Sequence, residues 1–175
     1  MAKKLEDYVI SIPDFPMEGI IFRDVTGVIR DPEGLRMAID TLTMICGDVH
    51  ADLIAGPEAR GFIFGVPLAY KLGLGFIPIR KKGKLPRETV EETYTLEYGT
   101  ATVEIHKDDI KPGQRVVLVD DLLATGGTCL ANIKLIESLG GVVEKVVCLI
   151  ELAGLKGREL LKGYDVISAI KYEGK

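Results

Sequence analysis

One stretch near the middle of the chain joins a buried strand to a glycine-rich turn. Residues 116–119 are β-branched or aliphatic, as is typical of a strand covered on both faces. Asp120 and Asp121 follow directly, and residues 125–128 (TGGT) stand where helical spacing resumes. Ligands of open parallel sheets bind at the carboxyl ends of the strands. This order of features therefore predicts an α/β fold with a binding site at the turn.

The turn has the chemistry needed to hold a phosphate monoester. Gly126 and Gly127 let the backbone approach a ligand closely, and the free N–H groups and dipole of a helix start favour negative charge. Thr125 and Thr128 add hydroxyl donors. No lysine follows the glycines and G-x-G-x-x-G is absent here, so neither a P-loop nor a dinucleotide fingerprint fits. Taken separately, the acids and glycines would also fit a plain strand end and helix cap.

The remaining segments alternate between strand-like and helix-like patterns. Asp31 before Pro32 predicts a helix start with a capping carboxylate. The predicted elements are a helix at 31–49, a strand at 52–55, a helix at 62–72 ended by Gly73, strands at 75–79, 100–105 and 116–119, a helix at 128–139 and a strand at 142–150. The last three form a βαβ unit. We therefore expect one α/β domain with a central, mainly parallel sheet flanked by helices.

Two further predictions concern the polar segment at 80–93 and the strand that follows it. Residues 80–93 are polar, basic at first and without apolar periodicity, which predicts a long loop of the kind that is usually functional or disordered. In the strand that follows, Ala101, Val103 and Ile105 alternate with polar residues, which predicts that Glu104 faces solvent.

Composition excludes several classes of function. The chain has 175 residues, 47% of them hydrophobic, and a net charge of −4, which argues against general binding of nucleic acid or an anionic membrane. Its start lacks the apolar run of a signal peptide, so we expect a cytoplasmic protein. The cysteines and histidines are too scattered for disulfides or a metal site. We expect Cys46, Cys129 and Cys148 to be small buried apolar side chains, and His50 and His106 to have surface or structural roles.

The stretch VVLVDDLLATGGT resembles the phosphoribosyl diphosphate (PRPP) motif of the type I phosphoribosyltransferases. The resemblance implies that family's fold, with a small hood over the sheet formed by about residues 1–30 and 80–107. It also implies that Asp120 and Asp121 lie by the ribose hydroxyls and act in catalysis. The loop that would hold the 5′-phosphate comprises Ala124, Thr125, Gly126, Gly127 and Thr128.

Other stretches narrow the resemblance to the adenine phosphoribosyltransferases of that family. They are FPMEGIIFRD at 15–24, EARGF at 58–62, YTLEYG at 94–99 and the tail ELAGLKGRELL at 151–161. Their order implies transfer of 5-phosphoribosyl from PRPP to adenine, giving AMP and pyrophosphate in purine salvage. The resemblance also implies a homodimer.

The same resemblance assigns roles to residues outside the turn. Pyrophosphate binding is implied for Glu58, Ala59 and Arg60, and the Arg60 guanidinium matches the geometry of phosphate oxygens. It is also implied for Lys81 and Lys84 of the predicted loop, which contains the further basic residues Lys82 and Arg87. Adenine binding is implied for Ile21, Phe22 and Arg23. Glu97 would act as a general acid or base at the imidazole-ring nitrogen of adenine, and Tyr98 would order the hood. Magnesium (Mg2+) would be held mainly by PRPP and pyrophosphate rather than by protein side chains.

Three alternatives stay open at this point. A phosphoribosyltransferase for hypoxanthine, guanine or xanthine would share the PRPP motif. A PRPP-sensing regulator would share the fold and bind nucleic acid, although the acidic net charge disfavours it. A general α/β phosphate binder would need only the turn.

Overall fold

Strands and helices alternate along most of the chain. The structure, a computed structural model, describes residues 3–96 and 99–174. The strands are β1 (Ile10–Pro13), β2 (Ile21–Asp24), β3 (Leu53–Pro57), β4 (Gly75–Lys81), β5 (Thr89–Leu96), β6 (Gly99–His106), β7 (Arg115–Leu123), β8 (Val142–Leu152) and β9 (Val166–Tyr172). The helices are α1 (Thr26–Arg30), α2 (Pro32–Ile45), α3 (Arg60–Leu72), α4 (Gly127–Ser138) and α5 (Gly157–Leu160).

A seven-stranded sheet in the order β5-β6-β4-β3-β7-β8-β9 forms the centre of the structure. The five strands from β4 to β9 in that order are parallel to their neighbours. The edge strands differ, because β6 is antiparallel to both β4 and β5. The prediction of an α/β fold with a mainly parallel central sheet is confirmed.

Helices cover both faces of this sheet, and β7 shows how the sequence achieves it. Successive strand residues point to opposite faces. Val117 and Val119 belong to the core under α2 and α3, whereas Val116 and Leu118 belong to the core under α4. A strand buried on both faces needs apolar residues at every position, which explains the uninterrupted run that the sequence shows.

The helix boundaries follow the local signals in the sequence. The Asp31 carboxylate caps α2 by accepting hydrogen bonds from the N–H groups of Glu33 and Gly34, at 2.9 and 3.0 Å. Gly73 ends α3 in the left-handed conformation with φ 69°. Both signals were predicted, and α2 ends at Ile45, a turn earlier than expected.

The prediction of a long loop at 80–93 is wrong. β4 continues to Lys81 and β5 begins at Thr89, so a short connection joins two strands. β5 alternates between half-buried and exposed residues from Val90 to Thr95. Its inward positions include Glu92, which pairs with Lys134 of α4 at 3.1 Å. A polar residue on the inner face hid the strand periodicity.

The prediction that Glu104 faces solvent is also wrong. Glu104 is buried, and one oxygen, Oε1, accepts hydrogen bonds from the N–H groups of Lys84 and Leu85, both at 2.8 Å. The connection between β4 and β5 folds over this carboxylate, which removes it from water while satisfying its charge.

Three remaining features concern the predicted hood, the cysteines and the length of the helices. β1 and β2 form a separate antiparallel ribbon, so the predicted hood would comprise this ribbon and the β5–β6 hairpin. All three cysteines are buried and free, as expected of small apolar side chains. Among the described residues, none of the helices is long and apolar enough to cross a bilayer.

Candidate active site

The acidic pair lies where β7 continues beyond its pairing with β3. Pairing between β3 and β7 stops at Leu118, but pairing between β7 and β8 continues to Leu123. The strand is thus longer than predicted, and Asp120 and Asp121 are part of it. Because the pairing with β3 has stopped, the two acids border a crevice at the carboxyl end of the sheet, where ligands of such sheets bind.

The glycine-rich turn follows at once and begins α4. Gly126 is the N-cap residue with φ 87°, a conformation that glycine adopts without the steric penalty of a side chain. The first N–H groups of a helix have no partner inside that helix. The predicted phosphate turn therefore has the expected backbone geometry.

A cavity of about 410 Å³ joins this turn to the end of β3. Its walls include three predicted pyrophosphate residues, both acids and the whole predicted phosphate loop. The lining residues are Pro57, Glu58, Ala59, Arg60, Asp120, Asp121, Leu122, Leu123, Ala124, Thr125, Gly126, Gly127, Thr128 and Cys129. Residues 57–60 and 120–129, which are distant in the sequence, thus meet in one concave site.

Arg60 and Asp121 form an ion pair across the cavity, with 2.5 Å between Nε and Oδ2. Arg60 is the first residue of α3, so this helix begins two residues before the predicted start at residue 62. The Asp121 side chain is 9% exposed and that of Arg60 is 48% exposed, so the guanidinium keeps a face toward solvent. It can therefore hold Asp121 and still offer N–H donors to a phosphate.

Asp120 has an unusual electrostatic position. Its Oδ1 accepts a hydrogen bond of 2.8 Å from the N–H of Asp121. Desolvation, followed by the negative charge of Asp121, raises the pKa of Asp120 well above its usual range. A carboxyl group of this kind takes up protons more readily than an exposed aspartate and responds to cationic ligands.

Glu58 is directed toward the neighbouring strand. Its Oε2 lies 2.8 Å from both Nε and Nη2 of Arg80, and its Oε1 accepts a 2.8 Å hydrogen bond from the N–H of Lys81. Desolvation opposes ionisation, but these contacts outweigh it and lower the pKa of Glu58. Through its contacts with Arg80 and Lys81, the Glu58 carboxylate holds the basic end of β4 beside the cavity. The peptide bond between Glu58 and Ala59 is cis.

The basic residues of the predicted loop are distributed over this region. Lys81 ends β4, and Lys84 lies in the connection held by Glu104. Lys82 pairs with Glu91 at 2.8 Å between Nζ and Oε2. Arg87 is engaged by Asp109 at 2.6 Å and by Asp108, away from the cavity walls.

The predicted adenine residues lie in the ribbon rather than in the cavity wall. Ile21, Phe22 and Arg23 are in β2, and none of them is among the described residues that line the cavity. The Phe22 ring meets Phe15 edge-to-face at 5.3 Å, and the Arg23 guanidinium lies 4.0 Å from the Tyr172 ring centroid. Glu97 and Tyr98 lie outside the described residues, so their predicted roles stay predictions.

Three residues near the site were not predicted. Tyr94 of β5 accepts a hydrogen bond of 3.2 Å from the Thr128 hydroxyl. Arg80 forms the pair with Glu58, and the backbone of Gly157 abuts the phosphate loop. The local sequences PIRK (78–81) and LKGR (155–158) gave no signal for the contacts of Arg80 and Gly157, since each contact depends on how distant segments pack together.

Comparison with known proteins agrees with this geometry. Residues 35–172 match the model of the phosphoribosyl transferase domain, so the fold and the site define a phosphoribosyltransferase. An adenine phosphoribosyltransferase of Lachnoclostridium phytofermentans is 66% identical over 173 residues, 99% of each chain. With relatives this similar over their whole length, the chain belongs to the adenine phosphoribosyltransferase family.

Solved structures give the same result. The crystal structure of adenine phosphoribosyltransferase from Thermoanaerobacter pseudethanolicus has a TM-score of 0.92 at 55% identity, covering 97% of this chain and 100% of that one. The Saccharomyces cerevisiae enzyme, solved in complex with an imino-altritol bisphosphate and adenine, has a TM-score of 0.88 at 40% identity and covers 94% of this chain and 95% of that one.

Proposed function

We propose that this protein transfers the 5-phosphoribosyl group of PRPP to adenine, giving AMP and pyrophosphate. The observation that carries the proposal is the single cavity in which a helix start, an acidic pair and Arg60 converge. The yeast relative was solved in complex with adenine and an imino-altritol bisphosphate, which supports the choice of base. In the reaction the C1′–oxygen bond to pyrophosphate breaks, a bond from C1′ to a ring nitrogen of adenine forms, and that nitrogen loses its proton.

The turn would bind the phosphoribosyl end of the substrate. N–H groups at residues 124–128 and the hydroxyls of Thr125 and Thr128 would surround the 5′-phosphate. Asp120 and Asp121 would accept hydrogen bonds from the ribose hydroxyls. Positive charge that develops on the ribose in the transition state would be stabilised by these two carboxylates.

The opposite wall would bind the leaving pyrophosphate. Arg60 offers a half-exposed guanidinium, and the Glu58–Ala59 segment lines the same wall. Glu58 is itself an anion, so its part would be to fix Arg80 and the start of the Lys81–Lys84 segment, whose ammonium groups would approach the diphosphate. Positioning and charge neutralisation would account for most of the catalysis, since the protein forms no covalent bond to the substrate.

Magnesium would neutralise the pyrophosphate when bound and assist its departure. The chemistry of the site suits it, because Asp120 and Asp121 supply hard oxygen atoms at the cavity. Among the described residues, groups of three or more His, Cys, Asp or Glu side chains that could hold a metal ion are not found. We therefore propose that substrate oxygens complete the coordination.

The adenine side of the site would be completed by the ribbon and the hood. Phe22 would stack on the base, and backbone groups of Ile21 and Arg23 would read its edge. Glu97 would take up the proton lost by the imidazole ring of adenine, and Tyr98 would order the hood above it.

We also propose a homodimer in the cytoplasm. Ile63, Val66 and Tyr70 lie at helical spacing on α3 with 36%, 49% and 87% of their surfaces exposed, an apolar stripe that a second copy would cover. Free buried cysteines suit a reducing compartment.

The dimer is tested by measuring the sedimentation of Val66→Glu beside Met44→Glu. Monomers from the first variant alone are expected, and dimers from both would contradict the α3 interface.

The function is tested by supplying the protein with PRPP, Mg2+ and each purine base in turn. Rapid formation of AMP from adenine, with hypoxanthine, guanine and xanthine at least about 100-fold slower, is the expected result. Turnover of another base but not adenine would overturn the choice of substrate. Tight binding of nucleic acid without any turnover would identify a regulator instead.

A further inference from the structure

The short helix α5 packs its first residue against the predicted phosphate loop. A Cβ atom added to Gly157 would lie 2.3 Å from the carbonyl oxygen of Ala124 and 3.1 Å from the nitrogen of Gly126. In the other direction, a Cβ on Gly126 would lie 2.7 Å from the carbonyl oxygen of Gly157. The two backbones are therefore in direct contact, with no space for a side chain between them.

The residue after Gly157 fixes α5 to the sheet. Nε of Arg158 lies 2.7 Å from Oε1 of Glu151, and Nη2 lies 2.7 Å from Oε2, so the pair is bidentate. A third nitrogen, Nη1, donates to the carbonyl oxygen of Val166 in β9. Such a fork fixes orientation as well as charge, because two parallel hydrogen bonds permit only one arrangement.

Glu151 links the ion pair with Arg158 to β7, the strand that contains Asp120 and Asp121. It is buried, with 4% of its side chain exposed, and also accepts a 2.9 Å hydrogen bond from Ser168 Oγ. The hydrogen bonds from Arg158 lower the pKa of Glu151, so the carboxylate is charged at neutral pH. Its partner across the β7–β8 ladder is Leu123, the residue before Ala124.

We propose that Gly157 and the Glu151–Arg158 pair form a buttress that positions residues 124–126 for the 5′-phosphate. The buttress touches no reacting atom and acts through the backbone of the loop. The phosphate needs several N–H groups to point to one place, and a small displacement of the loop would spoil that convergence. The inference rests on the proposed function only for the identity of the ligand.

Gly157→Ala in the full chain tests the contact directly. We expect the KM for PRPP and the Kd for ribose 5-phosphate to rise about 10-fold or more, with the KM for adenine changed less than about 2-fold. Gly174→Ala is the matched control, since a Cβ there would meet nothing within 4 Å. Unchanged binding of ribose 5-phosphate by a folded Gly157→Ala protein, or equal losses for PRPP and adenine, would overturn the buttress.

Arg158→Lys tests the same device if the added methyl group prevents folding. Lysine keeps the charge but loses the fork, so a rise in the Kd for ribose 5-phosphate of about 3- to 10-fold is expected. Arg115→Lys is its control, because the side chains of Arg115 and Arg158 are both 44% exposed. Arg115 pairs with Glu144 through one nitrogen, Nε, at the far end of β7. Equal effects of the two changes would assign Arg158 a general structural role.

Two outcomes separate this inference from the proposed function. A parent protein that binds ribose 5-phosphate but does not convert adenine would overturn the function and leave the comparison of variants valid. A parent protein that turns over adenine, with variants that bind ribose 5-phosphate equally well, would overturn the buttress alone.

Discussion

The hydroxyl of Thr128 donates a 3.2 Å hydrogen bond to the phenol oxygen of Tyr94. Thr128 belongs to the first turn of α4, and Tyr94 lies in β5 of the predicted hood. The pair between Glu92 and Lys134 joins the same strand and helix nearly two turns further along α4. The hood strand is therefore tied to the helix that begins at the phosphate turn.

Replacing Tyr94 by Phe removes this link while keeping the ring. A hydrogen bond of this type contributes about 1 kcal/mol, so the kcat/KM for PRPP should fall roughly 3- to 10-fold with little change in thermal stability. Steady-state kinetics beside Tyr164→Phe, which loses a phenol hydrogen bond of 3.0 Å to Glu137 outside the cavity walls, provide the comparison. Identical kinetics for both variants would show that the link has no effect on the reaction.

Asp120→Asn should make the protein more stable and nearly inactive. Burial and the charge of Asp121 raise the pKa of Asp120, so its ionised form destabilises the ligand-free fold. The gain in Tm, on the order of a few degrees, should appear at pH 8 and shrink as the pH falls through the raised pKa, where the parent carboxyl is already neutral. Turnover should fall about 100-fold or more.

Thermal unfolding of parent, Asp120→Asn and the exposed Asp48→Asn from pH 4 to 9 measures the stability effect. Asp48→Asn should follow the parent at every pH. A Tm for Asp120→Asn below that of the parent at pH 8 would contradict the proposed electrostatic penalty.

Arg60→Lys should impair the pyrophosphate side of the reaction selectively. Lysine keeps a positive charge near Asp121 but cannot use a guanidinium fork for both the carboxylate and a phosphate. The KM for pyrophosphate in the reverse reaction should rise about 10-fold or more, whereas the KM for adenine should change little. Arg36→Lys, in an exposed cluster with Glu33 and Asp40, serves as the control. Parallel losses for all substrates would argue against a specific role.

Glu104→Gln should loosen the connection between β4 and β5. Desolvation opposes the charge of Glu104, but hydrogen bonds from the N–H groups of Leu85, Gly83 and Lys84 prevail and lower its pKa. A lowered pKa stabilises the fold above the usual value of about 4.3, and this contribution is lost as the pH falls through the folded value. The parent should therefore have the higher Tm at pH 7, and the difference should close in acid.

The same measurement on Glu88→Gln, an exposed carboxylate paired with Lys107, gives the reference for a surface charge. A Glu104→Gln protein with the parent's Tm at pH 7 would show that the buried carboxylate does not hold the connection.

The features that the sequence predicted well are those in which neighbouring residues act together. The β7 run, the acidic pair and the glycine turn are contiguous, and the Asp31 cap involves residues only three positions apart. Their local chemistry therefore predicted a phosphate-binding turn without any knowledge of the sheet order, and the residues of that turn line the cavity.

The missed features depend on strands that are distant in sequence. The Arg60–Asp121 pair exists because β3 and β7 are neighbours, and the Glu58–Arg80 pair because β3 and β4 are. Glu104 was assigned to solvent because alternation predicts a face but not what covers that face. The position of Gly157 against Ala124 could not be predicted, since a glycine in a tail gives no indication of a close backbone approach.

The central position of β7 has a consequence for how the protein opens. The strand lies between β3 and β8 with a hydrophobic core on each face, whereas β5 lies at the edge of the sheet. Local opening starts where hydrogen bonds are exposed and buried contacts are few. Backbone amides of β7 should therefore exchange with solvent most slowly, so that the half of the site that would bind the sugar phosphate persists during fluctuations that release the predicted hood.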